Sequence, residues 1–245
     1  MISTGDLVQV ILASFIAGLL DTVVGFGGGL LLLPILAIIF TEYDAVILSA
    51  LIPLGWNSVR IVMLRRIIEL RSLGYFLVGI MPGLVIGTLL LERIDGGALR
   101  VGIGILLIVL GLYHTVRLYV ELPFPKLSER ILFPIVGLVG GIISALFGAG
   151  NGPLQSWSMA ATGVMPAIAS AVNGVLGMVT GGVRLLLYWW KGILIDVPWI
   201  AGLIGVAAAA AGGIVGVRMS RGNIDSTIRL VIGLAIVAAG VRMVW

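Results

Sequence analysis

Two glycine-rich segments contain the residues of this chain whose type and spacing could do chemistry. The first reads GFGGG at 25–29 and the second reads GAGNG at 148–152. Consecutive glycines interrupt a helix, because each costs about 1 kcal/mol relative to alanine. A helix that begins after such a break points its free N–H groups and positive dipole end at the break, which attracts anions. The pattern predicts an anion site lined by Gly25, Gly27, Gly28, Gly29, Gly148, Gly150, Asn151 and Gly152.

Close helix packing is the alternative explanation for these glycines, because small residues let helix backbones approach each other in a membrane. Gly79, Gly83 and Gly87, spaced by four, are expected to act in that way. A nucleotide-binding interpretation fails, because the dinucleotide fingerprint follows a strand in a soluble unit and its third glycine would fall at Leu30. The site and packing interpretations both stay open.

Polar side chains near the two segments are the other substrate-binding candidates. Gln155 flanks the second segment, and two later apolar stretches contain Asn57 with Arg60 and Asn173 with Arg184. The asparagines could donate hydrogen bonds to a solute or merely link helices. Inserting an arginine at mid-bilayer costs about 2.5–3.5 kcal/mol of free energy, so an arginine there normally has a structural or functional role. Both arginines therefore either bind or gate an anion, or reach out to the interface as anchors.

Asp21 precedes the first segment by one helical turn, whereas Ser144 stands at the corresponding place before the second. A buried carboxylate there could carry a proton and couple transport, or it could cap the break. No catalytic constellation is present, since the chain has one histidine, no cysteine, no HExxH and no GxSxG. We expect no enzyme activity, no cofactor and no metal site.

Composition indicates a membrane protein. Hydrophobic residues make up 60% of the chain, charged residues 11%, and the mean hydropathy is +1.22, whereas soluble domains carry about 25% charged residues. Only helices and closed barrels satisfy every backbone group in lipid, and these apolar segments lack the alternation of barrel strands. The net charge of +4 is explained by cytoplasmic anchors, so lipid, and not nucleic acid, is the expected partner.

About 8–10 hydrophobic segments predict an all-α polytopic fold. A crossing helix needs about 20 apolar residues, and two segments, 30–40 and 153–162, are too short. The segments long enough to cross are 7–24, 45–64, 73–91, 98–116, 131–147, 167–190, 197–217 and 228–244.

An internal repeat divides the chain. Shifting the sequence by about 123 positions places the first glycine segment on the second and Val59-Arg60 on Val183-Arg184. Two prolines and mixed charges mark a linker between the halves. The predicted organisation is a first repeat at 1–117, a linker at 118–130 and a second repeat at 131–245.

The distribution of basic residues predicts the topology. If the loop at 60–71 is cytoplasmic, basic residues are about twice as frequent inside as outside, as the positive-inside rule requires. Both termini then lie outside the cytoplasm. Each half has three net crossings plus one out-and-back segment, so the halves are inverted, an architecture that places substrate sites at the repeat interface.

The paired motifs GFGGGLLLLP at 25–34 and GAGNGP at 148–153 resemble the TauE/SafE family, also called TSUP. The second motif departs from the family pattern, with Asn151 replacing a glycine and Trp157 standing where a proline is often found. The resemblance implies a prokaryotic inner-membrane exporter of small sulfur-containing or organic anions, such as sulfite, sulfoacetate and other sulfonates. A homo-oligomer is compatible with the sequence.

Three functional hypotheses follow. The leading one is a secondary transporter that works by alternating access between the inverted halves, since no ATP-binding motif is present. The second is a passive anion channel, and the third is a membrane scaffold subunit that transports nothing.

Overall fold

The computed structural model describes residues 3–24, 27–117, 119, 128–194, 197–219 and 226–245. Within those ranges the chain is helical and contains no strand, which confirms the all-α prediction. The helices are α1 (Thr4–Val24), α2 (Gly28–Ile39), α3 (Glu42–Leu51), α4 (Pro53–Leu64), α5 (Leu70–Leu91), α6 (Gly96–Arg117), α7 (Glu129–Phe147), α8 (Asn151–Ala161), α9 (Pro166–Trp190), α10 (Trp199–Met219) and α11 (Ser226–Val244).

Seven helices of the described residues are long and apolar enough to cross a membrane, which confirms a polytopic protein. One of them is the continuous span Glu42–Ile67, formed by α3, α4 and a short 3-10 turn. Pro53 separates α3 from α4 because its ring has no N–H to donate to the preceding turn. The short helices α2 and α8 have 12 and 11 residues, so each extends less than about 20 Å.

Left-handed glycines separate each short helix from the helix before it. Gly27 has φ +102°, and Gly148 and Gly150 have φ +85° and +107°. Residues other than glycine rarely adopt this left-handed backbone conformation. The helices α2 and α8 begin at Gly28 and Asn151, two residues earlier than the segments predicted at 30–40 and 153–162. The last residues of each glycine segment therefore form a first helical turn.

Glycines hold the long helices in close pairs. Gly79, Gly83 and Gly87 of α5 lie against the backbone of α7, so an added Cβ would meet main-chain atoms there. Gly18 of α1 and Gly212 of α10 pack on each other's helices in the same way. Both pairs join a helix before the predicted linker to a helix after it.

The helix directions follow from these contacts. Helix α10 runs parallel to α1 and to α4, and α5 runs parallel to α7. Helix α9 runs antiparallel to α4, since Arg60 lies against Gly174 while Leu54 lies against Gly181. Because α1 and α3–α4 run the same way, the chain must return between them through α2. The inverted repeats and their boundaries stay a prediction, and α7 begins at Glu129, inside the predicted linker.

Candidate functional site

A cavity of about 90 Å³ lies between the two glycine segments and the helices α4 and α9. On a comparable measure one water needs about 10–15 Å³, so the cavity has room for several waters or one small anion. It brings together most of the residues that the sequence singled out. These are Asp21, Gly27, Gly29, Asn57, Arg60, Gly148, Gly150, Asn151, Gly152, Gln155, Asn173 and Arg184.

Among the described site candidates, Gly28 does not line this cavity. Gly25 lies outside the described residues. Gly28 packs against the Ala17 carbonyl of α1, where an added Cβ would clash, and its N–H donates to Asp21 Oδ1 at 3.1 Å. At Gly28 the structure thus favours the close-packing interpretation. Asp21 caps the start of α2, as the capping alternative for this carboxylate proposed.

Arg60 is held by Asp21. Its Nη2 lies 2.7 Å from the Asp21 carboxylate and 2.6 Å from the Asp21 carbonyl oxygen. The aliphatic part of Arg60 lies against Gly174 of α9. The Nε–H group is buried and has no hydrogen-bond partner, although it belongs to a residue that lines the cavity. One donor of this cavity-lining side chain is therefore left without an acceptor in the described part of the chain.

Arg184 has only neutral partners. Its Nε donates to the Tyr188 hydroxyl at 3.1 Å, and Nη1 donates to the Gly148 carbonyl at 3.0 Å. Nη2 donates to the Val46 carbonyl at 2.8 Å and to Ser49 Oγ at 3.1 Å. In the described part of the chain, no carboxylate lies within the 4.0 Å of a salt bridge to this guanidinium.

Both arginines are 2% exposed, which argues against the interpretation of the two side chains as interfacial anchors. An anchoring arginine places its head group in water, whereas these head groups lie among helices. A buried charge is costly unless it is paired or fully hydrogen-bonded. Asp21 meets that requirement for Arg60. Hydrogen bonds alone meet it for Arg184, and no described side chain balances its charge.

Three amide side chains from the second half of the chain also line the cavity. Gln155 is 1% exposed, and its Nε2 has no partner. Asn173 donates from Nδ2 to Ser156 Oγ at 2.7 Å, and its Oδ1 has no partner. Asn151 reaches Thr180 Oγ1 at 3.5 Å. Arg60 Nε, Gln155 Nε2 and Asn173 Oδ1 are thus three buried polar atoms without partners on residues that line one cavity. Because such atoms are rare in protein interiors, they indicate a site for a polar ligand.

Comparison with known proteins identifies the family. The chain matches the family described as "Sulfite exporter TauE/SafE" over residues 10–243. It belongs to the TauE/SafE family. The chain is therefore a membrane transporter, and its resemblance to that family is confirmed.

Two curated relatives are similar over most of their length. One is a "Probable membrane transporter protein" of Haemophilus influenzae, 24% identical over 84% of this chain and 81% of the relative. Another protein of the same description, from Methanocaldococcus jannaschii, is 24% identical over 73% of this chain and 74% of the relative. No solved structure gives a significant match.

Ser49 lines the cavity of this TauE/SafE protein but was missed as a binding candidate. Its hydroxyl lies 2.6 and 2.9 Å from the Val46 and Gly148 carbonyl oxygens, can donate its one proton to either, and accepts from Arg184. The internal repeat could have indicated Ser49, because this residue stands 124 residues before Asn173, and the same offset separates Arg60 from Arg184. Ser144, Trp56 and Thr180 also line the cavity.

Proposed function

We propose that this TauE/SafE protein is a secondary transporter of small anions, and that its central cavity is the substrate site. The observation that carries the proposal is Arg184, a buried guanidinium that lines the cavity and has no carboxylate partner in the described chain. A small anion would supply the missing counter-charge. It would also accept from the free Nε of Arg60 and the free Nε2 of Gln155, and charge-assisted bonds of this kind are strong.

The second glycine break is better placed than the first to bind substrate through its backbone. The first N–H of α2 is already taken by Asp21, whereas the start of α8 at Asn151 has no side-chain cap. A free helix N-terminus favours an anion. We therefore assign the backbone contribution chiefly to Gly150, Asn151 and Gly152.

Matched pairs around the cavity support inverted repeats with the site between them. Arg60 and Arg184 both line the cavity, and so do Ser49 and Asn173, which are displaced by the same 124 residues. The antiparallel course of α4 and α9 is the arrangement that inversion predicts. Transporters with inverted repeats bind substrate at the repeat interface and work by alternating access.

The units that move are proposed to be mixed bundles, because the two sequence halves are interlocked. Helices α1 and α4 pack with α10, and α7 and α9 pack with α5. We name these two groups bundle A (α1, α4, α10) and bundle B (α5, α7, α9). The cavity lies between them, and α4 meets α9 across it. Sliding or rocking of bundle A against bundle B would open the cavity first to one side and then to the other.

The substrate class and the direction are proposed from the family. Sulfite, sulfoacetate and other sulfonates are small tetrahedral or pyramidal anions that suit a site with two guanidinium groups, and the family name indicates export. We place the protein in a prokaryotic inner membrane with both termini outside. Proton coupling through Asp21 would require its ion pair with Arg60 to open, because both carboxylate oxygens are engaged.

Flux into proteoliposomes tests this function. Labelled sulfite or methanesulfonate should enter vesicles that contain the protein. The uptake rate should saturate with anion concentration, and the anion should accumulate when a pH or sodium gradient is imposed. Flux that never saturates and only equilibrates would indicate the passive channel. Absence of both binding and flux for every small anion tried would leave the scaffold hypothesis and end the proposal.

A further inference from the structure

We propose that Asp21 selects the valence of the transported anion. By neutralising Arg60, it leaves the cavity with one net positive charge, so that within the proposed substrate class the site accepts monoanions such as R–SO₃⁻ or HSO₃⁻ and discriminates against dianions such as sulfoacetate with both acids ionised. This inference rests on the proposed function of the cavity as an anion site and assigns its charge selectivity to one residue.

The charged side chains that line the cavity in the described chain are Asp21, Arg60 and Arg184. Asp21 is fixed against Arg60, with 2.7 Å between Oδ2 and Nη2, and its other oxygen accepts from the Gly28 N–H. Two anchoring contacts hold this carboxylate in place at the cavity wall. The pair contributes no net charge, and the cavity is left with the charge of Arg184.

A monoanion beside Arg184 makes the cavity neutral. The charge of Arg60 is already balanced by Asp21, so the second charge of a dianion would meet no further net positive charge and would face the Asp21 carboxylate, which lines the same cavity. Like charges repel more strongly in a poorly solvated interior than in water. Neutral donors such as Gln155 Nε2 bind either kind of anion and therefore do not discriminate between them.

In the second half of the chain, a serine occupies the position that corresponds to Asp21. Ser144 stands 123 residues after Asp21, and its hydroxyl lies 3.5 Å from Arg184 Nη1. The two matched arginines thus differ in one respect that matters here, an acid against an alcohol beside the guanidinium. This difference allows the charge of the cavity to be raised, lowered or moved by single substitutions.

Three variants test the inference. Asp21→Asn keeps the shape and an oxygen for the Gly28 N–H but raises the net charge of the cavity to that of two arginines. Ser144→Asp places a second acid beside Arg184 and cancels the charge. The double variant D21N/S144D moves the acid from one arginine to the other and restores a single positive charge.

The measurement is the initial rate of labelled methanesulfonate and of labelled sulfate uptake into proteoliposomes, with the membrane potential held at zero. The two probes have similar size and differ in charge. The wild type should favour methanesulfonate at least tenfold, and D21N should lower that ratio at least tenfold. S144D should lose uptake of both anions, and the double variant should regain the wild-type ratio.

An unchanged ratio in a D21N protein that still transports would overturn the inference, and so would a wild type that prefers sulfate. A folded double variant that fails to regain the preference would also overturn it. If D21N does not fold, S144D decides the question, because an S144D protein that keeps the wild-type uptake rates and ratio would also overturn the inference. Failure of the wild type to move either probe or any sulfonate would instead sink the proposed function.

Discussion

Arg60 and Arg184 occupy matched positions, yet one is paired with a carboxylate and the other is surrounded by neutral oxygens. Removal of one member of a buried ion pair strands the other charge and costs about 3–5 kcal/mol. Removal of an unpaired charge strands no charge, although some acceptors lose a donor. The two arginines should therefore respond differently to the same substitution.

Arg60→Gln should lower the free energy of unfolding by several kcal/mol, because Asp21 is left buried without its partner (about 3–5 kcal/mol). Arg184→Gln should destabilise less but reduce anion affinity about 10-fold to 100-fold, because the anion loses the positive charge that it balances. Thermal unfolding in detergent and equilibrium binding of sulfite measure the two effects separately.

The double variant D21N/R60Q is the control for this contrast. It removes both charges of the pair, so most of the stability lost in Arg60→Gln should return. If stability does not return, or if Arg184→Gln destabilises more than Arg60→Gln, the partners assigned to the two arginines are wrong.

Helix α9 meets α4 through glycines, and this contact positions two of the polar side chains of the cavity. A Cβ at Gly177 would lie 2.8 Å from Asn57 Cγ and 2.9 Å from Oδ1, so the amide would have to move. Gly182, five residues further along the same helix, has open space around its Cβ position. The two glycines therefore form a matched pair for testing the α4–α9 contact.

Gly177→Ala should reduce anion uptake several-fold, because the displaced Asn57 amide enters the space that substrate would occupy. Gly182→Ala should leave uptake unchanged and stabilise the helix by up to about 1 kcal/mol, since alanine favours a helix over glycine. Uptake rates and melting temperatures of the two purified variants provide the comparison. Normal uptake by Gly177→Ala would show that Asn57 is not part of the site.

The helices could be predicted from the sequence because the bilayer imposes a length and a polarity on each. Runs such as 73–91 and 98–116 fall within the observed α5 and α6. The residues that line the cavity were also largely predictable. An arginine such as Arg184 within an apolar run is costly to insert into lipid and therefore indicates a functional position.

Side-chain partners could not be predicted, because hydropathy and spacing do not fix how helices rotate and cross. The sequence left Asp21 open between coupling and capping, and only the approach of α2 to α1 brings the Gly28 N–H to its carboxylate. For the same reason Ser49 was not predicted, because its hydrogen bond with Arg184 joins residues 135 positions apart in the sequence.

The topology of the whole molecule can be tested by chemical labelling, because the chain has no native thiol. Arg66 lies exposed in the turn after α4, and Arg93 lies exposed in the turn after α5. With both termini outside, a cysteine replacing Arg66 should react with an impermeant maleimide only in inside-out vesicles, and a cysteine replacing Arg93 only in intact cells. The reverse pattern would invert the proposed orientation and the positive-inside assignment with it.

The identity of the moving bodies can be decided by two disulfide links, each of which joins the two sequence halves. A link between cysteines at Thr22 and Gly216 lies inside bundle A, where an added Cβ at Gly216 would be 2.9 Å from the Thr22 Cβ. A link between cysteines at Leu54 and Gly181 joins α4 to α9, hence bundle A to bundle B. The added Cβ at Gly181 would be 2.9 Å from a Leu54 methyl group, so both pairs lie close enough to oxidise after small shifts.

If bundle A moves against bundle B, oxidation of the pair at 54 and 181 should arrest sulfite flux, and a reductant should restore it. Oxidation of the pair at 22 and 216 should leave flux intact, because that link stays within one rigid body. Movement of one sequence half against the other predicts arrest by both links, since each crosses between the halves. Each reduced double-cysteine protein serves as its own control, so the comparison depends on the bond alone and separates the two mechanisms.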